Sequence, residues 1–365
     1  MDDRAYDRAA QGRAAQGIAM HEFTEALTSF VSEARCSVIA EPNIDTYRFG
    51  PFPRALNRFD DAFLREGLAF LAANDDAVAE MAGSFADDAS RALLMGVLAF
   101  RVLGPRHVRL PTNTPRYWRN YEDAAAWRTG PSPRTVWPFE VSHYAGEFHG
   151  CPITLEGWLG NVVYSFLIEQ YFFDRGGVSI APEPGDYAID AGGCFGDTAL
   201  AFAIAVGAAG RVYSFEPMPG LRDVFCANMR RNPDLAERIE LFDRAVFDAS
   251  GNTLTFADLS AGSRPQPGGT VPVSTVAIDD FVRGHDVPRV DFIKMDIEGS
   301  EREALRGAAE TIRRFRPKLA ISAYHRPDDL WALPALIRDI EPGYKLFFDH
   351  YTIHAEESIV FAVPD

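Results

Sequence analysis

The stretch VDFIKMDIEGSE, residues 290–301, sets Lys294, Asp296 and Glu298 at alternate positions where an apolar run ends. Side chains alternate along a strand, so Phe292, Lys294, Asp296 and Glu298 share one face if the strand stays regular to its end. A buried lysine needs a carboxylate beside it, so an internal ion pair with its two neighbouring acids is as good a reading of Lys294 as a role in chemistry. Asp296, at the mouth of a sheet, is better placed to meet a ligand. A second run, KLAISAY at 318–324, leads into His325, so Tyr324 and His325 end a strand in the same manner. Such groups can take a proton from a hydroxyl while it is being modified, a service worth roughly 100-fold to 10,000-fold in rate. His325, or the Asp296 and Glu298 pair, is the expected base. His350, His354 and Glu357 are weaker candidates of the same kind, and Ser300 with Glu303 has the spacing of a helix capping box.

A second stretch, AIDAGGCFGD at 188–197, packs three glycines and two aspartates behind another short apolar run. A G-x-G-x-x-G dinucleotide fingerprint from Gly192 would need glycine at 194 and 197, where the chain has Cys194 and Asp197. What it does match is D-x-G-x-x-x-G from Asp190 to Gly196, followed twenty residues later by Glu216 in VYSFEP. Glycine there permits backbone conformations and close approaches that a side chain forbids. A helix opening near Thr198 puts its amino end beside the ligand. An acid ending the second strand can accept from both ribose hydroxyls at once. Either feature alone is equally a tight structural turn; together they favour an adenosine-bearing ligand.

These residues need a scaffold, and the runs around them describe one. DYAID at 186, RVYSF at 211, RIELF at 238, VDFIKMDI at 290 and KLAISAY at 318 alternate with helical patterns. That order implies crossover connections and a mostly parallel sheet covered on both faces. YKLFF at 344 and SIVFAV at 358 are joined by too few residues for a helical crossover, so an antiparallel pair is expected at one edge. From about 18 to 104 apolar residues recur at helical spacing, as in Phe23, Leu27, Phe30 and Val31. Between 105 and 151 prolines and aromatics such as Tyr117, Trp118, Tyr121, Trp127, Trp137 and Tyr144 read as a cover or connector. That belt suits a hydrophobic cover, a homo-oligomer contact or a stacking surface for a sugar. GSRPQPGG at 262–269 reads as an exposed loop.

The chain's 52 acidic against 36 basic residues leave a formal charge of -16 over 365 residues. Such a field repels phosphate backbones and anionic membrane surfaces, which disfavours a nucleic-acid partner. The N-terminus MDDRAYDRAAQGRAAQG has no apolar core of a signal peptide, and the apolar stretch at 199–209 is too short for a bilayer, so no membrane insertion is expected. Four cysteines without paired spacing fit a reduced, cytoplasmic protein.

The combination AIDAGGCFGDTAL, VYSFEPMP, STVAIDDF, DFIKMDIEGSEREALRGA, RPKLAISAYH and EESIVFA, in that order over roughly 185–363, resembles the FkbM family of S-adenosylmethionine-dependent methyltransferases. Cys194 stands where that family often has asparagine. The resemblance implies an α/β class I methyltransferase, with a Rossmann-like, mostly parallel sheet, an antiparallel edge pair and an N-terminal helical extension. The chain divides accordingly into a mostly helical accessory part with its connector at 1–165 and an S-adenosylmethionine-binding domain at 166–365. The resemblance further implies that Asp190, Gly192, Gly193, Phe195 and Gly196 shape the pocket for the cofactor's amino acid end, with Asp197 and Thr198 at the helix start. Glu216 would hold the ribose, Phe215 and Pro217 would lie beside the adenine, Asp243 would accept from its amino group, and Asp296 would touch both cofactor and acceptor. Lys294, Glu298, Tyr324 and His325 complete the expected catalytic set. S-adenosyl-L-homocysteine is the product of the cofactor, and the acceptor is a hydroxyl on a saccharide or other small molecule. No metal-ligand spacing is readable, so no metal site is expected, although an ion bridging Asp296, His325 and a substrate diol is compatible with the pattern. A nicotinamide oxidoreductase on a related sheet, and a non-catalytic binding or scaffold protein with an inherited fold, stay open as alternatives.

Overall fold

The computed structural model describes residues 20–36, 38–39, 43–50 and 61–365; the polar N-terminal stretch lies outside them. Helices Met20–Arg35 (α1), Asp61–Ala73 (α2), Asp75–Ser84 (α3) and Asp88–Leu103 (α4) open the described chain. They have no core of their own. Phe23, Leu27, Val97 and Leu98 belong to one continuous apolar cluster with Ile189, Ile293 and Ile321 of the central sheet.

Where the sequence reads as a connector, the chain forms helix Pro115–Ala126 (α5) and an antiparallel sheet of Arg128–Val136 (β1), Phe139–Phe148 (β2) and Cys151–Gly157 (β3). Alternation could not reveal β1, because Pro131 and Pro133 stand in it and its register on β2 shifts twice. A hairpin of Phe173–Arg175 (β4) and Val178–Ile180 (β5) leads into the main sheet.

That sheet contains Tyr187–Ala191 (β6), Arg211–Phe215 (β7) and Ile239–Phe242 (β8), with helices Asp197–Val206 (α6) and Pro219–Arg231 (α7) as crossovers. A small sheet follows, made of Ala245–Val246 (β9), Thr253–Phe256 (β10) and Val271–Val276 (β11). Its strands are too short to announce themselves by periodicity. Phe292–Met295 (β12), Lys318–Ser322 (β13), Tyr344–His350 (β14) and Ser358–Pro364 (β15) complete the order β14-β15-β13-β12-β6-β7-β8. β15 is antiparallel to both neighbours, so the edge pair carries a single reversed strand inserted between β13 and β14.

Alternate residues of each central strand serve opposite cores. Ile189 and Ile293 face the N-terminal helices, whereas Ala188 and Phe292 pack with Phe202 of α6 and with Tyr144 and Phe148 of β2. The chain runs outward from β6 to β8 and returns to β12 on β6's other side, which makes a topological switch point. In such sheets the carboxyl ends of the strands at the switch form the ligand crevice.

Candidate active site

At the crevice the glycine turn leaves β6. Gly192 has φ +89°, and a Cβ there would lie 1.9 Å from the carbonyl oxygen of Asp296. At Gly193 a Cβ would lie 2.3 Å from Ser214 Oγ. The first two glycines are therefore demanded by contact between β6 and the ends of β12 and β7. Gly192→Ala is expected to cost roughly 2–4 kcal/mol from overpacking and the left-handed backbone together. Urea unfolding checks this, and a loss below about 1 kcal/mol would show that the β12 end gives way.

Behind the turn, Asp190 is fully buried and accepts from Ser214 Oγ at 2.8 Å and Thr198 Oγ1 at 3.1 Å. Lys294 Nζ sits 3.1 Å from Asp190 Oδ1 and donates to the Gly192 carbonyl at 2.5 Å. The parallel register places Lys294 directly beside Asp190. This corrects the expectation that its partners are Asp296 and Glu298, and neither contact leaves the ammonium facing the crevice. The alternation argument fails because β12 ends at Met295 and Glu298 turns to φ +56°.

Glu216 follows β7. Its carboxylate accepts from the Cys194 N–H at 2.9 Å and the Met218 N–H at 2.8 Å. Burial pushes it up to about 7, against the lowering effect of those two N–H groups and of Lys294. It borders a narrow cleft of about 50 Å³ whose lining includes Gly192, Phe215, Pro217, Leu221 and Asp296. The small β9–β11 sheet contributes Ala245, Val246 and Phe256 to the opposite wall, a contribution unseen in the sequence.

Several expected cofactor residues are engaged in contacts within the protein. The Phe195 ring is fully buried against Trp158 at 4.9 Å, turned into the small core with Met218 and Leu221. Thr198 spends its hydroxyl on Asp190. Asp243 is more than half exposed and paired with Arg222 and with Arg244, which lines the cleft although Asp243 itself does not. Phe215 lines the cleft, but its ring stacks on Phe242 at 5.2 Å in the sheet core. Asp197 opens α6, accepts from Ser165 Oγ at 2.6 Å, and keeps its Oδ1 buried without a hydrogen-bond partner. Gly196 precedes it as the left-handed N-cap at φ +81°.

On the other side of Asp296 the structure assembles a polar cluster. Tyr171 donates to Asp296 Oδ2 at 2.8 Å and Tyr324 to Oδ1 at 3.2 Å. His325 Nε2 is 3.4 Å from Asp296 Oδ1 and 3.7 Å from Glu298 Oε2, and its Nδ1 is 3.0 Å from Glu301 Oε1. These are ion-pair approaches; neither ring nitrogen reaches hydrogen-bond geometry. Burial works to lower the imidazole, but Glu301, Asp296 and Glu298 outweigh it and hold it up at about 10. With no cation bound, this favours the protonated ring at neutral pH and weighs against His325 as the base, since a protonated imidazole has no lone pair to offer. Glu298 is raised by burial to about 7, while at Asp296 burial is outweighed by Lys294, His325 and the Tyr171 hydroxyl, so that carboxylate stays low.

Glu301 and Tyr171 were not legible as site residues. The apparent capping box is not formed: Ser300 is the N-cap of helix Glu301–Arg306 (α8) without a side-chain bond. Glu303 pairs with Arg326, and Glu301 turns inward to accept from the Ile297 N–H at 2.9 Å. Tyr171 stands 125 residues before Asp296 and arrives from the segment after the π-helical turn Val163–Leu167. His350 is buried with Nδ1 2.8 Å from Ser358 Oγ, and burial holds it down to about 3, a neutral structural histidine. Glu357 is buried and raised to about 8 by burial and by Asp296.

A seven-stranded sheet with one reversed strand and a cleft at its switch point defines the class I methyltransferase fold. The solved FkbM methyltransferase of Methylobacillus flagellatus KT shares it, with a TM-score of 0.52 at 23% identity over 80% of this chain. Residues 190–346 match the family model of the methyltransferase FkbM domain. It spans 60% of the length of the M. flagellatus protein. Fibrillarin from Aeropyrum pernix, solved with natively bound S-adenosyl-L-methionine, is a more distant likeness, with a TM-score of 0.37 at 13% identity over 65% of this chain and 87% of its own. No curated protein sequence matches the chain.

The residues present suit the cofactor of such a domain. The cleft has apolar walls with the Glu216 carboxylate at its border, and Asp197 holds an orphaned buried acceptor at the start of α6. A concave site that combines apolar walls with convergent polar groups is the usual form of a small-molecule site.

Proposed function

We propose that the protein is an S-adenosylmethionine-dependent methyltransferase acting on a hydroxyl oxygen of a saccharide or other small molecule. The observation that carries this reading is the placement of Glu216 and Asp296 on the same cleft at the switch point. The cofactor supplies a methyl group on a sulfonium: the acceptor oxygen forms the new bond, the carbon–sulfur bond breaks with its electron pair left on sulfur, and the hydroxyl proton departs. The chain's residues bind, orient and take up that proton. Glu216 accepts from the ribose diol, and the apolar wall keeps water from the adenine. Asp296, fixed by the Tyr171 and Tyr324 phenols, receives the acceptor hydroxyl and its proton. Lys294 acts through Asp190 as a positioning residue for the glycine turn. Alignment in a dry crevice carries most of the rate.

Among the described residues no helix is long and apolar enough to cross a membrane, and the four cysteines are unpaired. Together with the charge of -16, this supports a cytoplasmic enzyme of small molecules rather than of nucleic acid.

S-adenosylhomocysteine binding tests the reading. The ribose hydroxyls donate, so they favour ionised Glu216; a group near 7 in the free protein must lose its proton on binding. Affinity should therefore rise about tenfold between about pH 6 and pH 8. Glu216→Gln should bind more weakly by about 1.5–3 kcal/mol and lose that pH dependence. Calorimetry showing no binding, or binding of a nicotinamide cofactor in its place, would overturn the proposal. Binding that is indifferent both to pH and to the substitution would place the ribose elsewhere.

A further inference from the structure

We propose that Asp296, Glu301 and His325 form a site for one divalent cation of the oxygen-preferring class, positioned to hold a methyl acceptor through a chelating oxygen pair such as a vicinal diol or a hydroxy acid. The part concerning the acceptor rests on the methyl-transfer reading; the site itself does not. One donor atom from each of the three side chains lies within 4.8 Å of the others. They come from two places: Asp296 and Glu301 from the stretch joining β12 to the first turn of α8, and His325 from the loop after β13.

The cluster is built and largely closed. The side chain of Glu301 is 1% exposed and that of His325 8%. Each imidazole nitrogen faces carboxylate oxygens, yet neither makes a hydrogen bond. The carboxylates are themselves oriented, Asp296 by two phenols and Glu301 by the Ile297 N–H. Outer contacts of this kind fix the direction of metal-ligating groups.

Charge balance points the same way. Three carboxylates, Asp296, Glu298 and Glu301, face the one imidazole. The nearby cations make their ion pairs elsewhere, Lys294 with Asp190, Arg302 with Asp328 and Asp329, Arg326 with Glu303, and Arg48 with Glu356, and of these Lys294 also acts on Asp296 through space. A proton on His325 and a divalent cation are alternative counter-charges for the same carboxylates; on ligation the proton leaves to solvent and the ring nitrogen donates its lone pair. Two carboxylates and an imidazole suit Mn²⁺, with Mg²⁺ weaker because of the nitrogen ligand. Asp296 also lines the cofactor cleft, so the cation lies beside the place where an acceptor oxygen must wait.

The test uses the full chain stripped with chelator and titrated with Mn²⁺ alone, followed by electron paramagnetic resonance, while S-adenosylhomocysteine binding is measured calorimetrically on the same sample. One Mn²⁺ per chain is expected in the wild type, weakened at least about tenfold in Glu301→Gln and in His325→Gln. Glu303→Gln should bind as wild type, because Glu303 faces Arg326 outside the cluster. Glu301→Gln retains an oxygen for the Ile297 N–H, and circular dichroism melting of each variant separates lost binding from lost folding. Wild-type chains that bind S-adenosylhomocysteine but no Mn²⁺ would overturn the site and leave the methyl-transfer reading intact. Mn²⁺ binding unchanged in both folded variants would overturn it as well. Mn²⁺ binding lost in the variants, in a protein that never binds S-adenosylhomocysteine, would uphold the cation site and remove the methyl-transfer reading instead.

Discussion

Asp190→Asn lowers the unfolding free energy by about 3–5 kcal/mol, because it strands a buried lysine charge. Lys294 is 2% exposed at its side chain and Asp190 0%. Burial works against the charged lysine, and Asp190 followed by Asp296 outweighs it, so Lys294 is held above the ordinary lysine value and stays charged at neutral pH. Asparagine keeps an oxygen for Ser214 and Thr198 but removes the counter-charge, leaving the ammonium the Gly192 carbonyl and the face of the Tyr171 ring. Urea denaturation at neutral pH measures the loss. The companion double substitution, Asp190→Asn with Lys294→Met, should recover at least half of it, since replacing a whole buried pair by groups of similar volume is often neutral. A single-variant loss below about 1 kcal/mol would mean that water or a rearranged side chain compensates the lysine. The turn would then owe its geometry to the glycines alone.

Asp296→Asn is expected to slow single-turnover methyl transfer by roughly two to four orders of magnitude, the usual value of a positioned proton acceptor. The acceptor would be the one yielded by a screen of hydroxylated small molecules and saccharides. Binding of S-adenosylhomocysteine should change far less, within about tenfold, because the contact between β12 and the glycine turn is made by the Asp296 backbone carbonyl, which the substitution keeps. Asparagine also keeps an acceptor for one of the two phenols, so Tyr171 or Tyr324 retains its bond. If the variant transfers methyl within about tenfold of wild type, Asp296 merely anchors those tyrosines, and proton uptake passes to Glu298. A loss confined to cofactor affinity would place Asp296 on the cofactor side of the crevice only.

Much of the sheet was legible because its strands are short apolar runs bounded by turn residues and separated by helical periods. The same logic located the crevice residues Glu216 and Asp296, since residues just past a strand's carboxyl end need no tertiary information to be placed there. The antiparallel end of the sheet followed from loop length, although the insertion of β15 between β13 and β14 did not. The β1–β3 sheet escaped notice because prolines and register shifts in β1 erase alternation. The β9–β11 sheet escaped because strands of two to six residues carry too little period.

Within the site, the divide falls between position along the chain and partnership across it. The residues alone determined which strands end in acids, where glycine must stand and that the net charge repels polyanions, because these depend on local backbone chemistry and on composition. Only the tertiary structure decided that Lys294 answers to Asp190 instead of Asp296, that Phe195 is buried against Trp158 and Asp243 is paired with arginines, and that Tyr171 and Glu301 enter the cluster. Those outcomes depend on strand order, on the register between parallel neighbours and on which way a helix's first turn faces. The charge environment of His325 belongs with them: it is set by three carboxylates of the 296–301 stretch, and an isolated AYHRP stretch carries no record of their approach.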